Sequence, residues 1–379
     1  MLDDNTRLDW AYLAGVAEPP NAALHKLIAE VGVTEAARAV SRQSVPPGHE
    51  EVLRATAARH QVNTAEEDLS AIARLGGRLV TPADDEWPGW QLLALGRADT
   101  AAKGGEPVAL WARGPARLDG AVDRSVALVG SRAASGYGEH VTSSLTGGLV
   151  GEGWSVISGG AYGIDGVAHR CALAADGTTV AVLACGLDRD YPAGHARLIA
   201  EIARTGVVVS EYRPGTSAAK HRFLTRNRLV AALSRAVVVV EAGGRSGAAN
   251  TAAWTRKLGL PLGAVPGPVT SATSIGCHRM IADGVAQLVT SSDDIIRLAE
   301  PDGVTGSEAR TSSMRPTDGL DETQQRTYDA VPARGSLTIG EIAFASGLAV
   351  REVRSALAVL ETRGLLSTNG SGWRLAGSR

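Results

Sequence analysis

The sequence predicts an α/β protein with a doubly wound, mostly parallel β-sheet. Apolar runs rich in β-branched residues recur along the chain, and most of them end in a glycine-rich loop. Segments with helical spacing of apolar residues separate these runs. Strands and helices that alternate in this way are typical of a parallel sheet covered by helices on both faces. We therefore expect a Rossmann-like domain over about residues 115–298.

Six apolar runs predict the strands of this sheet. They are VALVG (126–130), WSVIS (154–158), TTVAVLACG (178–186), VVVS (207–210), AVVVVEA (236–242) and LGAVPG (262–267). Helical segments over 139–152 and 164–175 connect the first three strands. A preceding region with short strand-like pieces, such as VALWARG (108–114), belongs to the same domain, which we extend to 76–298.

The chain on either side of this domain predicts two smaller helical units. Residues 1–75 show helical spacing of apolar residues interrupted at Pro19-Pro20, which predicts a small helical domain. Residues 299–320 are rich in Gly, Ser, Thr and Pro and predict a flexible linker. Residues 321–379 predict a winged helix, in which Gly347 makes the turn between two helices and Asn369-Gly370 makes the turn of the wing.

The composition excludes several classes of protein. The 379 residues carry a formal net charge of −2, with 44% hydrophobic and 21% charged residues, which is ordinary for a soluble globular chain. No apolar run approaches the ~18 residues of a membrane helix, and the acidic N-terminus is unlike a signal peptide. Cys171, Cys185 and Cys277 are too few and too scattered for a disulfide framework or a zinc site. We expect a cytoplasmic protein without metal.

Positive charge is concentrated in one part of the chain. Between Tyr212 and Ala282 the only acidic residue is Glu241, whereas ten residues are basic. A solvated basic face is the common explanation of such a bias. A local excess of nine positive charges among glycines, in a chain of net charge −2, favours a binding site for anions instead.

Three glycine loops follow predicted strands. They contain Gly130-Ser131-Arg132, Gly159-Gly160, and Gly243-Gly244 with Gly247. Free backbone N–H groups at helix N-termini bind anions, although a single such loop is more often a tight turn. The P-loop pattern GxxxxGK and the GxGxxG fingerprint are both absent, so we expect neither ATP hydrolysis nor an NAD cofactor. A polynucleotide backbone or an unusual phosphate ligand is the better match.

The segment HRFLTRNRL (221–229) combines arginines with an aromatic residue. Its arginines, Arg222, Arg226 and Arg228, suit phosphate oxygens. Phe223 suits stacking on an unpaired base, which is worth ~1–3 kcal/mol, or it is a residue of the hydrophobic core. The sequence leaves these two interpretations of Phe223 open.

The motifs, taken together, resemble the DNA-processing protein A (DprA, or Smf) family. The matching segments are VALVGSRAASGYG, SGGAYGIDGVAH, VAVLACGLDRDYP, SEYRPGT, FLTRNRLVAALS and VVVEAGGRSGAANTA, in the family's order across roughly 80–290. The resemblance implies a protein that binds single-stranded DNA, forms a homodimer and loads a RecA-type recombinase during natural transformation. It also implies that the N-terminal helical domain is SAM-like.

The family motifs place candidate DNA-binding residues on this sequence. The GSR motif falls on Gly130, Ser131 and Arg132, and the FPxRNR motif falls on Phe223, Arg226, Asn227 and Arg228. With the glycine loops and neighbouring cations, the predicted set is Gly130, Ser131, Arg132, Gly159, Gly160, Lys220, Arg222, Phe223, Arg226, Asn227, Arg228, Arg245, Ser246 and Gly247. The chain departs from the family at Leu224, Asn250 and Cys277.

Other functional classes fit less well. A phosphoribohydrolase-like enzyme on a related fold would carry a GGxGTxxE loop, whereas this chain has GGRSGAAN. A transcription factor would carry a more basic winged helix than this one. Asp165 and His169 have the i, i+4 spacing of an acid–base pair, but we expect Asp165 to cap a helix and His169 to pack against the sheet. We therefore predict a DNA-binding protein that is not an enzyme.

Overall fold

The computed structural model describes residues 3–97, 105–244, 246–300, 317, 319–368, 370 and 372–376. The chain divides into two compact units, residues 1–304 and 305–379, and each is described by itself. Among the described residues, no helix is long and apolar enough to cross a membrane.

Nine strands among the described residues of the first unit form one sheet, in the order β1-β2-β6-β5-β4-β3-β7-β8-β9. Strands β3 to β9 are parallel to one another, while β1 and β2 add an antiparallel edge next to β6. This arrangement confirms the predicted doubly wound, mostly parallel sheet. The strands are Gly77–Val80 (β1), Leu110–Arg113 (β2), Ser125–Val129 (β3), Ser155–Ser158 (β4), Thr179–Leu183 (β5), Val207–Ser210 (β6), Ala236–Val239 (β7), Leu262–Ala264 (β8) and Gln287–Leu288 (β9).

The sheet is buried on both faces. Alternate residues of β3 belong to different hydrophobic clusters, with Val126 and Leu128 on one face and Ala127 and Val129 on the other. All four are buried, which is why the strands read as continuous apolar runs.

Helices cover the two faces of the sheet. Those of the first unit are Asp4–Val16 (α1), Ala22–Val31 (α2), Val33–Ser41 (α3), Glu50–Thr56 (α4), Ala65–Arg74 (α5), Gly89–Arg97 (α6), Leu118–Asp123 (α7), Gly136–Gly151 (α8), Ile164–Ala174 (α9), Ala196–Thr205 (α10), Lys220–Ala232 (α11), Gly247–Lys257 (α12), Ile275–Ala282 (α13) and Ser292–Ala299 (α14). The N-terminal helices share one hydrophobic cluster with the sheet, in which Leu13 and Leu27 pack with Trp111 and Leu183. The predicted boundary at residue 75 stays a prediction.

The described residues of the second unit form three helices and a hairpin. They are Glu322–Asp329 (α15), Ile339–Ser346 (α16), Val350–Thr362 (α17), Leu366–Thr368 (β10) and Trp373–Leu375 (β11). Gly347 ends α16 in the left-handed conformation, with φ of 69°, so the predicted turn residue has the backbone that favours glycine. Asn369 and most of the predicted linker lie outside the described residues. The order of elements matches the predicted winged helix, and that assignment stays a prediction.

Candidate nucleic-acid interface

A cleft of about 570 Å³ opens at the carboxyl ends of the parallel strands. Strand β3 lies between β4 and β7. From β3 the chain adds β4, β5 and β6 on one side and then crosses over to add β7, β8 and β9 on the other, so the strand order reverses at β3. Ligands of doubly wound proteins bind at such a reversal, because the flanking loops separate there. The lining includes Gly130, Ser131, Arg132, Gly159, Phe223, Arg226, Asn227, Ser246 and Gly247 from the predicted set.

Close packing explains two of the glycines in these loops. A Cβ added at Gly130 would lie 2.5 Å from Cγ1 of Ile164, and one added at Gly159 would lie 2.5 Å from Nη2 of Arg226. Both distances are too short for real atoms. By contrast, a Cβ at Gly247 would meet no atom within 4 Å. Steric contacts therefore explain the glycines at positions 130 and 159, whereas Gly247 is open to the cleft.

Asp165 holds the loop that follows β4. Its Oδ2 accepts hydrogen bonds from the backbone N–H groups of Gly159, at 3.1 Å, and Ala161, at 3.4 Å. Gly163 is the N-cap of α9, so the expectation that Asp165 caps this helix is wrong. Burial raises the pKa of Asp165, and the nearby Arg226 opposes that shift.

His169 packs against the sheet, as expected. It is fully buried, and its Nδ1 lies 2.7 Å from Oγ1 of Thr179 on β5. Burial lowers the pKa of His169 to about 3. Asp165 and His169 thus contact different parts of the structure and have separate structural roles.

The RNR motif lies within helix α11, and this directs its arginines to different places. Residues two apart on a helix point about 200° away from each other. Arg226 points towards the cleft, where its Nη1 donates to the carbonyl oxygens of Gly159 and Val182. It is only 5% exposed, and burial lowers its pKa.

Arg228 and Arg222 do not join the cleft. Arg228 is fully buried, and its Nη2 donates to both carboxylate oxygens of Glu211, at 2.7 and 2.8 Å. Arg222 forms an ion pair with Glu18 of the N-terminal helical region, with Nε 2.7 Å from Oε1. Both guanidinium groups are paired with carboxylates and neither residue lines the cleft, and their predicted contact with DNA stays a prediction.

Aromatic and cationic groups meet at the mouth of the cleft. Phe223 is half-buried, and its ring centroid lies 5.3 Å from that of Tyr191. The exposed Arg132 lies over the same Phe223 ring, with its Cζ 5.4 Å from the centroid. Arg132 forms no ion pair with any described residue. The resulting group of Arg132, Phe223 and Tyr191, here called the aromatic rim, leaves its cation and Tyr191 accessible to a ligand.

Tyr191 is the member of the rim that residue patterns missed. It is 44% exposed and lies in a loop, where neither helical nor strand periodicity marks it. The DRDYP segment that contributed to the family resemblance contains it. Its place in that segment is the sequence feature that could have identified Tyr191 as a candidate site residue.

The remaining predicted residues have varied surroundings. Lys220 is exposed at the start of α11, and Asn227 donates from Nδ2 to Oδ1 of Asn250 at 3.2 Å, linking α11 to α12. Ser246 caps α12, because its side chain accepts a hydrogen bond from the N–H of Ala249.

The last two members of the predicted set are Gly160 and Arg245. Gly160 does not line the cleft; it has φ of 70°, and its carbonyl oxygen accepts a hydrogen bond from Nδ1 of His195. Arg245 lies outside the described residues.

The departures from the family pattern also have places in the fold. Leu224 is exposed on α11 and lines the cleft beside Phe223. Cys277 is buried under β7, and burial raises the pKa of its thiol to about 11. The described residues contain no cluster of three or more His, Cys, Asp or Glu side chains that could hold a metal ion.

Comparison with known proteins identifies the family. The family described as DNA recombination-mediator protein A matches residues 78–300. A Mycobacterium tuberculosis protein that carries the name DNA processing protein DprA is 51% identical over 378 residues, covering 99% of this chain and 95% of the relative. The DprA of Streptococcus pneumoniae is 41% identical over 190 residues, covering 50% of this chain and 66% of the relative.

A solved structure agrees with the sequence matches. The X-ray structure of DNA processing protein A from Streptococcus pneumoniae aligns with a TM-score of 0.63 and 30% identity, covering 78% of this chain and 98% of that chain. The family match spans the sheet and the loops that line the cleft. The chain therefore belongs to the DprA family of DNA recombination mediators.

Proposed function

We propose that the chain binds single-stranded DNA at the cleft between β3 and β7 and acts there as a recombination mediator. The observation that carries this proposal is the aromatic rim, in which the exposed Arg132 lies over the half-buried Phe223 ring beside Tyr191. Arginine contributes charge for phosphates, while accessible rings offer surfaces on which unpaired bases stack. A base in a duplex is already stacked and paired, so such a site favours single strands.

The floor of the cleft supports phosphate binding without a nucleotide fingerprint. Backbone groups of Gly130, Gly159 and Gly247 line it, and Gly247 stands at the N-terminus of α12. The positive end of a helix dipole favours an anion at this position. Arg226 lines the same floor, although its Nη1 is already bonded to backbone carbonyls. We therefore assign Arg132 the main phosphate contact and Arg226 the role of holding the loops.

A salt titration of single-strand binding tests the proposal. Fluorescence anisotropy of a labelled oligonucleotide would give the affinity at several salt concentrations. We expect Arg132→Ala to weaken binding of any sequence and to reduce the log–log salt slope by about 0.7, the value for one lost phosphate contact. We expect Phe223→Ala to weaken binding by ~1–3 kcal/mol with an almost unchanged slope, because stacking releases no counterions.

Matched measurements separate binding from folding. Arg38→Ala is a suitable control, since Arg38 is an exposed arginine paired with Glu35 on α3, away from the cleft. Thermal unfolding of each variant shows whether the fold is intact. A well-folded Phe223→Ala variant with the affinity of the wild type, or an affinity that is flat with salt, would contradict the proposed site.

We also propose homodimerisation and loading of a RecA-type recombinase. Strand β9 stands at the edge of the sheet and exposes Leu288, while Val269 and Ile275 are exposed in the chain between β8 and β9. An unpaired edge with apolar side chains is suited to a second copy. Sedimentation of wild type and Leu288→Glu tests the dimer, and recombinase filament assembly on DNA coated with single-strand-binding protein tests loading.

The enzyme alternative has a separate test. Glu241 is the buried acid after β7, and its carboxylate accepts hydrogen bonds from Ser135 and Thr273. It is therefore held by the loops around it. We expect purified protein to hydrolyse neither ATP nor nucleoside monophosphates; steady turnover that Glu241→Gln abolishes would support the phosphoribohydrolase-like enzyme.

A further inference from the structure

A second groove lies at the opposite end of the strands from the cleft. It has a volume of about 560 Å³ and is bordered by helix α6 and by residues that precede β3, β7 and β8. These residues stand at the amino ends of the strands, whereas the aromatic rim stands at the carboxyl ends. The two sites are therefore separate.

Helix α6 presents an apolar side to solvent as well as one to the core. Leu92 and Leu95 are fully buried, while Trp90 is 83% exposed and Leu93 is 40% exposed. Trp90, Leu93 and Arg97 follow helical spacing and line the groove together. Tryptophan and arginine are enriched where proteins contact each other, and a tryptophan left in water forgoes the burial of a large apolar area.

The floor and rim of the groove differ in chemistry. Leu258, Leu260 and Pro261 supply an apolar floor. At the rim, Nζ of Lys257 lies 5.4 Å from the centroid of the Trp254 ring. Neither Lys257 nor Arg97 has an acidic partner among the residues described. Arg235 is already satisfied, since it pairs with Asp123 at 3.2 Å and Glu300 at 2.8 Å. The unpaired charge at the rim is therefore positive.

We propose that this groove docks an acidic peptide segment of a partner protein that carries a bulky apolar side chain. The apolar side chain would pack against Trp90 and the floor, and the carboxylates would face Lys257 and Arg97. A second copy of this chain is a poorer occupant, because a two-fold contact would bring two positive rims together. A nucleic acid is also a poorer occupant, because the floor of Leu258, Leu260 and Pro261 is aliphatic, whereas unpaired bases stack on aromatic rings.

Synthetic peptides test the proposal on the full-length protein. The probes are short fluorescent peptides of aspartates with a single Phe, Trp or Leu, and matched peptides with asparagine in place of aspartate. We expect the acidic peptides to bind and the asparagine peptides to bind about tenfold more weakly. Trp90→Ala and Lys257→Glu should each weaken acidic-peptide binding about tenfold or more while leaving the affinity for single-stranded DNA unchanged.

Phe344→Ala is the matched control, since Phe344 is a 92% exposed aromatic residue in the second unit. It should leave peptide binding unchanged. Circular dichroism would check the fold of each variant, which we expect to be intact because Trp90 and Lys257 are exposed. Four results would overturn the proposal. Two are equal binding of the acidic and asparagine peptides, and equal peptide binding by wild type and Trp90→Ala. The third is loss of DNA affinity in Trp90→Ala, which would indicate a nucleic-acid surface, and the fourth is a change in the sedimentation of that variant, which would indicate self-association.

Discussion

Two arginines of one motif show how helix geometry decides the role of a side chain. Arg226 and Arg228 are two residues apart on α11, so they point to different sides of the helix. Arg226 crosses the cleft floor to backbone carbonyls, whereas Arg228 is buried against Glu211, which follows β6. The sequence predicted that arginines of this segment suit phosphates, and helix geometry prevents these two from reaching the same one. The sequence could not identify the structural arginine, because that depends on a carboxylate 17 residues earlier in the chain.

We therefore expect Arg228 to contribute to stability rather than to DNA contact. We expect Arg228→Met to lower the free energy of unfolding by about 3–5 kcal/mol, since it leaves the buried Glu211 carboxylate without its partner. Urea unfolding measures this loss. The double variant Arg228→Met with Glu211→Leu should recover much of it, because two apolar side chains remove the buried charges together.

The competing outcome for Arg228 is also measurable. Suppose that Arg228→Met kept the stability of the wild type and reduced the log–log salt slope of DNA binding by about 0.7, the value for one phosphate contact. Arg228 would then belong to the DNA interface. Arg132→Ala provides the reference slope for a single lost contact.

At the scale of elements, the glycine loops combine two roles that look alike in the sequence. At Gly159 the Arg226 guanidinium occupies the space that a side chain would need. At Gly247, at the N-terminus of α12, that space is open. The sequence predicted both loops at strand ends, and the sheet places both on one cleft. Which glycine is sterically required depends on contacts between distant segments, so local sequence could not distinguish them.

The paired variants Gly159→Ala and Gly247→Ala test this difference. We expect Gly159→Ala to displace the Arg226 guanidinium, lowering the thermal midpoint and weakening single-strand binding. Gly247→Ala should keep the midpoint near that of wild type, since its Cβ meets nothing within 4 Å. Thermal unfolding and anisotropy on both variants measure the two effects; equal midpoints would show that the Gly159 contact is not restrictive.

The strength of the local signal decided which elements the sequence could predict. The six buried runs of the parallel sheet were predicted because both faces are covered and the runs are continuously apolar. Strand β9 was missed, since it has only Gln287 and Leu288 and both are exposed. Tyr191 was missed by periodicity for a related reason, because a loop residue has no repeat to reveal it.

At the scale of the whole molecule, charged contacts connect the N-terminal helices to helix α11. Glu18 accepts from Arg222 and His221 at the start of α11 and from Arg59 in the helical region. Burial alone would raise the pKa of Glu18, but the hydrogen bonds from Arg222 and Arg59 outweigh it and lower the pKa to about 2. Arg213 adds a second link, to Asp68 of α5 at 3.2 Å. The helical region thus helps to fix the turn that carries Phe223.

Stability of the fold should also depend on pH through the buried His169. Its pKa is lowered by burial from an ordinary 6.5 to about 3, so between these values the unfolded chain binds a proton that the folded chain does not. Acidification through this window therefore favours unfolding, by up to about 1.4 kcal/mol for each pH unit. Burial also lowers the pKa of His25, which adds to the same trend.

The variant His169→Asn isolates this contribution. Its stability at about pH 7 should be lower than that of wild type, because packing against Thr179 is lost, but its decline towards about pH 5 should be shallower. The lowered pKa of Glu18 does not interfere, since a depressed carboxyl contributes stability above its ordinary pKa of 4.5 and loses it only below that value. Urea unfolding across this range gives the slopes, with exposed His140→Gln on α8 as the control expected to keep the wild-type profile. Parallel pH profiles for His169→Asn and wild type would show that His169 does not take up its proton on unfolding in this window.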